Sequence, residues 1–194
     1  GIQFKGDGGR YQSAEFLLEF VDAVHRAGCQ RLYLHARNAI LGGLTPAQNR
    51  DIPPLQPERG RLIKSQFPKL ELIMNGGINA YDKALELLHW ADGVMIGRSA
   101  YHNPLLLSEL HKNLRDPAFV IDEADFIARY KLYTQLQMSG GERLQPLMRH
   151  LLHSFNGQPG ARRFRQTLSD HHRLKQGDAS ILEDALSHIF GAAA

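Results

Sequence analysis

Three short stretches pair chemically capable side chains with glycines that let a ligand come close: His35-Ala36-Arg37, Asn75-Gly76-Gly77 and Gly97-Arg98. An imidazole and a guanidinium two residues apart can stabilise negative charge on a ring or a phosphate. Asn75-Gly76-Gly77 runs into a helical pattern, so its backbone N–H groups can approach an anion with no Cβ in the way. Gly97-Arg98 repeats the device and adds a cation able to fork onto a phosphate. Tight turns and a solvated arginine would use the same residue types, and the bare pattern leaves that reading open.

The elements that must position these residues follow from periodicity. Each stretch ends a short apolar run, predicted as strands over Arg31–His35, Leu70–Met74 and Gly93–Gly97. Between and before them lie helical patterns. The first is capped by Ser13, has Phe16, Leu17, Phe20, Val21 and Val24 on one face, and ends near Ala27-Gly28. Two more are a short helix near Arg61–Phe67 and one over Ala80–Trp90. Alternation of this kind predicts βαβ units and a parallel sheet, with ligands beyond the carboxyl ends of the strands. Two adjacent strand ends suited to phosphate match a barrel whose last two loops hold it.

Past Asn103 no strand signal remains. Helices are predicted over Leu105–Leu114 and Glu123–Met138, followed by a turn at Ser139–Glu142. Apolar residues at Leu144, Leu147, Met148, Leu151, Leu152 and Phe155 then predict one continuous helix, with Arg149, His150 and His153 on another side. Two further helices are predicted over Ala161–Ser169, with Ala161, Phe164 and Leu168 inward, and over Ala179–Phe190. There is no internal repeat.

The 194 residues are 43% hydrophobic, and no apolar run is long enough to cross a membrane. No secretory pattern opens the chain. The single cysteine, Cys29, excludes a disulfide framework and a cysteine-based zinc cluster, which fits a reducing cytoplasm and predicts no metal. Cys29 precedes its strand and is read as structural. Net charge is +3, but Arg143 to Lys175 holds seven Lys or Arg against one acid, so that segment carries +6. It also holds His150, His153, His171 and His172. Such asymmetry points to a polyanionic partner, with a solvated basic face as the alternative. The chain opens on Gly1, without Met, in a glycine-rich stretch, so it is expected to belong to a longer protein.

Four blocks carry a family resemblance: "LHARNAILGGLTPAQNRDIPPL", "MNGGINAYDKALELL", "DGVMIGRSAYHNPLLL" and "RHLLHSFNGQPGARRFRQTLS". Together they are similar to the tRNA-dihydrouridine synthases of subfamily A, over roughly Ser13 to Ser169. The resemblance implies the C-terminal part of a (β/α)8 TIM barrel, strands six to eight, over residues 1–116. An all-α tRNA-binding domain would follow over residues 117–194. It implies FMN and NADPH as cofactors, tRNA as partner, and reduction of a D-loop uridine to 5,6-dihydrouridine, at positions 20 and 20a by the subfamily alone. It further implies that His35 contacts the flavin and that Asn75, Gly76, Gly77, Gly97 and Arg98 hold its phosphate end. Arg37, Asn49 and Arg50 would face the RNA from the loop after the first of these strands, and Arg149, Arg162, Arg163 and Arg165 would contact its backbone.

Two parts of the family's machinery have no counterpart. The cysteine acid and the flavin lysine are not identifiable, so no catalytic residue is assigned here and both are expected upstream. Lys5 lies in a loop and is not read as that lysine, and Gly6–Arg10 is read as a flexible connection. Three strands cannot close a barrel, and their open edges could pair with a second copy. The chain alone is expected to be inactive. A non-catalytic RNA-binding module and another FMN-dependent barrel oxidoreductase are the alternatives.

Overall fold

Ser13 starts the framework as the sequence predicts, its hydroxyl accepting the Phe16 N–H at 3.1 Å. The computed structural model describes residues 2–3 and 10–191; Lys5 and most of the predicted flexible connection lie outside them. Contacts divide the chain into two compact units, Gly1–Gly97 and Arg98–Ala194. That division falls ahead of the change of role expected between residues 116 and 117.

The first unit runs β1 (Ile2–Gln3), α1 (Ala14–Arg26), β2 (Arg31–His35), β3 (Ala39–Ile40), α2 (Pro46–Asn49), α3 (Pro57–Gln66), β4 (Glu71–Asn75), α4 (Tyr81–Leu88) and β5 (Gly93–Met95). The three predicted strands form one parallel sheet in the order β2-β4-β5. Its register runs from Arg31↔Glu71 to His35↔Asn75, and from Ile73↔Gly93 to Asn75↔Met95. A separate two-residue parallel ladder joins β1 to β3. Such short pieces carry no readable periodicity, and they escaped the sequence.

Central β4 buries Leu72 and Met74 fully, beneath a core shared with Val21, Ile63 and Leu70. Helix α3 begins earlier than predicted because Pro57, whose φ is already helical, stands in its first turn. Asp92 fastens the sheet to α3, accepting the Leu72 N–H at 2.7 Å and Lys64 Nζ at 2.6 Å. Burial pushes its carboxyl up, but the Leu72 N–H and Lys64 outweigh that and hold it below the usual aspartate range.

The second unit is helical among its described residues: α5 (Arg98–His102), α6 (Leu105–Leu114), α7 (Glu123–Ser139), α8 (Leu144–Arg149), α9 (Ala161–Leu168), α10 (His171–Gln176) and α11 (Ile181–Phe190). Leu144, Met148, Phe164, Leu168 and Ile181 centre its core. Ala161, Phe164 and Leu168 point inward as predicted. Gly160 leads into α9 with φ +84°, and a Cβ there would overlap the His188 carbonyl of α11.

One prediction is corrected. The continuous helix expected to reach Phe155 ends at Arg149. Beyond it the chain closes tighter turns, Leu151 N–H to Met148 O at 3.1 Å and Ser154 N–H to Leu151 O at 2.9 Å. A ladder reaching back three residues keeps Leu151 and Phe155 buried nearly as an α-helix would. The apolar spacing therefore could not tell the two apart.

Candidate functional site

The end of the β2-β4-β5 sheet sets His35, Asn75 and Met95 in one row, because these three share a register level. The Ala36 N–H reaches the Asn75 carbonyl at 2.9 Å and carries the pairing one step further. His35 is exposed at this edge and Asn75 is half-buried.

Gly76 and Gly77 follow with φ of +124° and +68°, a region that side chains with a Cβ rarely occupy. Space is a second reason for glycine here. A Cβ on Gly76 would stand 3.0 Å from Leu55 Cδ2, and one on Gly77 would strike Leu55 Cδ1. A small pocket at this point is lined by Ala36, Leu55, Asn75, Gly76, Gly77 and Lys83. Lys83 pairs with Glu86, which lines the same pocket, at 2.7 Å, so what suits an anion at this strand end is the positive-φ backbone beside Asn75. Gly97 is exposed two residues past β5, and Arg98, also exposed, is the first residue of α5 in the second unit.

Residues 36–56 form an arm closed at its neck, where the Gln56 N–H donates to the Ala36 carbonyl at 2.8 Å. Arg37 spans this neck. Its Nη1 donates to the Asp51 carbonyl at 3.2 Å and to the Pro53 carbonyl. Asn49 holds the outer half. Its Oδ1 accepts the Ile40 N–H at 2.7 Å and its Nδ2 donates to the Ile40 carbonyl at 3.0 Å. Between them stands α2, closed by a reciprocal cap in which Thr45 Oγ1 accepts the Gln48 N–H at 3.2 Å and Gln48 Oε1 accepts the Thr45 N–H at 2.8 Å. Arg50, next to Asn49, is exposed.

In the second unit Arg149, Arg162 and Arg163 are exposed. Arg165 is half-buried, its Nη1 donating to Asn156 Oδ1 at 3.0 Å. Asn156 Nδ2 donates to the His102 carbonyl at 3.1 Å, and the His102 and His153 rings meet at 3.3 Å. Burial, then His102 and Arg165, hold His153 below the usual imidazole range. Tyr101 packs edge-on against His102, His150 and His153. Arg173, counted in the basic segment, is committed to Asp178 and Asp184 at 2.7 Å each. Folding therefore neutralises part of the charge that the sequence displays.

Comparison with known proteins decides the family: the dihydrouridine synthase (Dus) family matches residues 6–190. The chain belongs to that family. It is 41% identical over 178 residues to the tRNA-dihydrouridine(20/20a) synthase of Pasteurella multocida, covering 91% of this chain and 54% of that one. To the protein of the same name from Pseudomonas putida it is 44% identical over 188 residues, covering 96% and 55%. A relative of that name from Synechocystis is 41% identical over 175 residues, covering 90% and 52%. The chain thus spans about half the length of the curated relatives it matches.

On this member of the dihydrouridine synthase family, the fold brings His35, Asn75, Gly76 and Gly77 to one sheet edge. Arg37 and Asn49 lie in the arm, bonded to its own backbone. Sequence reasoning overlooked Leu55, which roofs the glycine pair, and the histidine–asparagine cluster around His102. The Thr45-Pro46-Ala47-Gln48 cap was a readable signal for α2 that went unread. Among the described residues, no helix is long and apolar enough to cross a membrane, and no group of three or more His, Cys, Asp or Glu could hold a metal ion.

Proposed function

We propose that the protein containing this chain is an FMN- and NADPH-dependent tRNA-dihydrouridine synthase of the cytoplasm. It would reduce a D-loop uridine to 5,6-dihydrouridine, at position 20 or 20a as its relatives' names state for them. The observation that supports this most is the row of His35, Asn75 and the Gly76-Gly77 pair at the sheet edge, in a member of this family.

In this reading residues 1–116 are the C-terminal part of an FMN-binding barrel, with β2, β4 and β5 as strands six to eight. Residues 117–194 are a helical tRNA-binding domain. Asn75, Gly76, Gly77, Gly97 and Arg98 hold the FMN phosphate, and His35 lies against the ring, where an imidazole offsets negative charge. Bound FMN, once reduced by NADPH, would supply the hydride that the uridine accepts. Arg149, Arg162, Arg163 and Arg165 hold RNA backbone while a loop base is drawn out of its stack. No residue of this chain is assigned as the acid, and the chain alone is inactive, its open sheet edges free to pair with a second copy.

The test is made on the intact protein. It should purify with a flavin spectrum and, given NADPH, add two hydrogens to a single uridine of unmodified tRNA, read by nuclease mapping and mass spectrometry. Arg98→Ala should loosen FMN while leaving tRNA binding intact, and Arg162→Glu with Arg165→Glu should do the reverse. A flavin-loaded intact protein that leaves every uridine unreduced would overturn the proposal.

A further inference from the structure

Two of the three arm residues expected to face RNA are turned inward. Arg37 spends Nη1 on the carbonyls of Asp51 and Pro53, on the returning limb of the arm. Asn49 satisfies both backbone groups of Ile40 through one side-chain amide, and its Nδ2 also lies 3.4 Å from the Leu44 and Thr45 carbonyls. An amide side chain carries the same donor and acceptor pair as a peptide unit, so Asn49 stands in for a strand partner of β3. The contacts to Asp51, Pro53 and Ile40 join residues separated by 9 to 16 positions, and each bridges the outgoing and returning limbs. Arg50, the neighbour of Asn49, makes no such bridge among the hydrogen bonds of the described arm and is exposed.

We infer that Arg37 and Asn49 are positioning residues that hold the arm rigid, and that substrate contact from this arm falls to Arg50. The inference rests on the RNA-modifying reading for what Arg50 touches, but the clamping itself does not depend on it. A pre-shaped arm presents its cation without ordering the whole 36–56 loop at the moment of binding, which raises affinity by reducing that entropy loss.

A double-mutant cycle on the intact protein separates the roles. Arg50→Ala should weaken tRNA binding about tenfold and reduce the salt dependence of log Kd by about one ion. Asn49→Ala and Arg37→Met should each weaken it several-fold, with KM for tRNA rising while NADPH reduction of the flavin is unchanged. Added to Arg50→Ala, neither should weaken binding further, because each acts through Arg50. Losses that multiply instead would mean that Arg37 and Asn49 touch RNA themselves, and would overturn the inference.

A second readout needs no RNA. Hydrogen exchange across residues 38–52 should accelerate at least about tenfold in Asn49→Ala and in Arg37→Met, as expected for a locally opened segment. Unchanged exchange would overturn the clamps even if activity were lost. Accelerated exchange in an intact protein that binds no tRNA would instead uphold the clamps and defeat the functional reading.

Discussion

His153 shows how a single residue joins packing to pH. Its ring is partly withdrawn from water and faces His102 and Arg165, with Tyr101 and Asn156 completing its surroundings. All of these except Asn156 and Tyr101 are cationic when protonated, so the folded state takes up a proton at His153 less readily than the ordinary value of 6.5. The unfolded chain therefore binds the proton first as pH falls through that value, and stability declines with it until the lower folded-state value is passed. Thermal unfolding followed from pH 8 to 5 should show a decline that His153→Gln makes shallower; equal declines in both proteins would remove His153 as its source. The sequence placed His153 with Arg149 and His150 on one side of a predicted helix, yet nothing in it pointed to His102. Their contact spans 51 positions, beyond the reach of local periodicity. Residues read from strand ends fared better, because a parallel register sets them side by side: His35 and Asn75 are neighbours for that reason.

Among the elements, helices with strong apolar periodicity were legible, as α1, α6 and α9 show, and α1 had a capping serine as well. Of the shorter pieces, β2, β4 and β5 showed as apolar runs, whereas β1, β3, α5 and α10 did not, since each carries too few residues for a period. The α9 entry depends on Gly160. An added methyl would meet both a left-handed φ and the backbone of α11. Gly160→Ala should destabilise the protein by about 3 kcal/mol or more, since neither strain nor overlap can be relieved by a rotamer change. Urea unfolding should report it as a lower midpoint with an unchanged slope, and a loss under about 1 kcal/mol would show that α9 and α11 can separate cheaply.

For the whole molecule, charge is the property most readable from sequence and most altered by folding. The +6 segment was plain, but Arg173 is bound by two aspartates and Arg165 by an asparagine. The exposed remainder, Arg143, Arg149, Arg162, Arg163 and Lys175, should dominate long-range attraction to a polyanion. Binding of tRNA by the intact protein should thus fall steeply with salt, and Arg162→Ala with Arg163→Ala should lower the log–log slope by about two ions, whereas Arg173→Ala should reduce stability and leave the slope unchanged.

The Asn49 amide has one more consequence. The N–H and C=O of a strand residue point to the same side, so by occupying both on Ile40 it seals one margin of β3 against any other extended chain. Asn49→Ala would uncover a short strand that runs into exposed Leu41. Its purified protein should then form light-scattering aggregates on standing that the parent sequence resists, so one side chain guards solubility as well as shape.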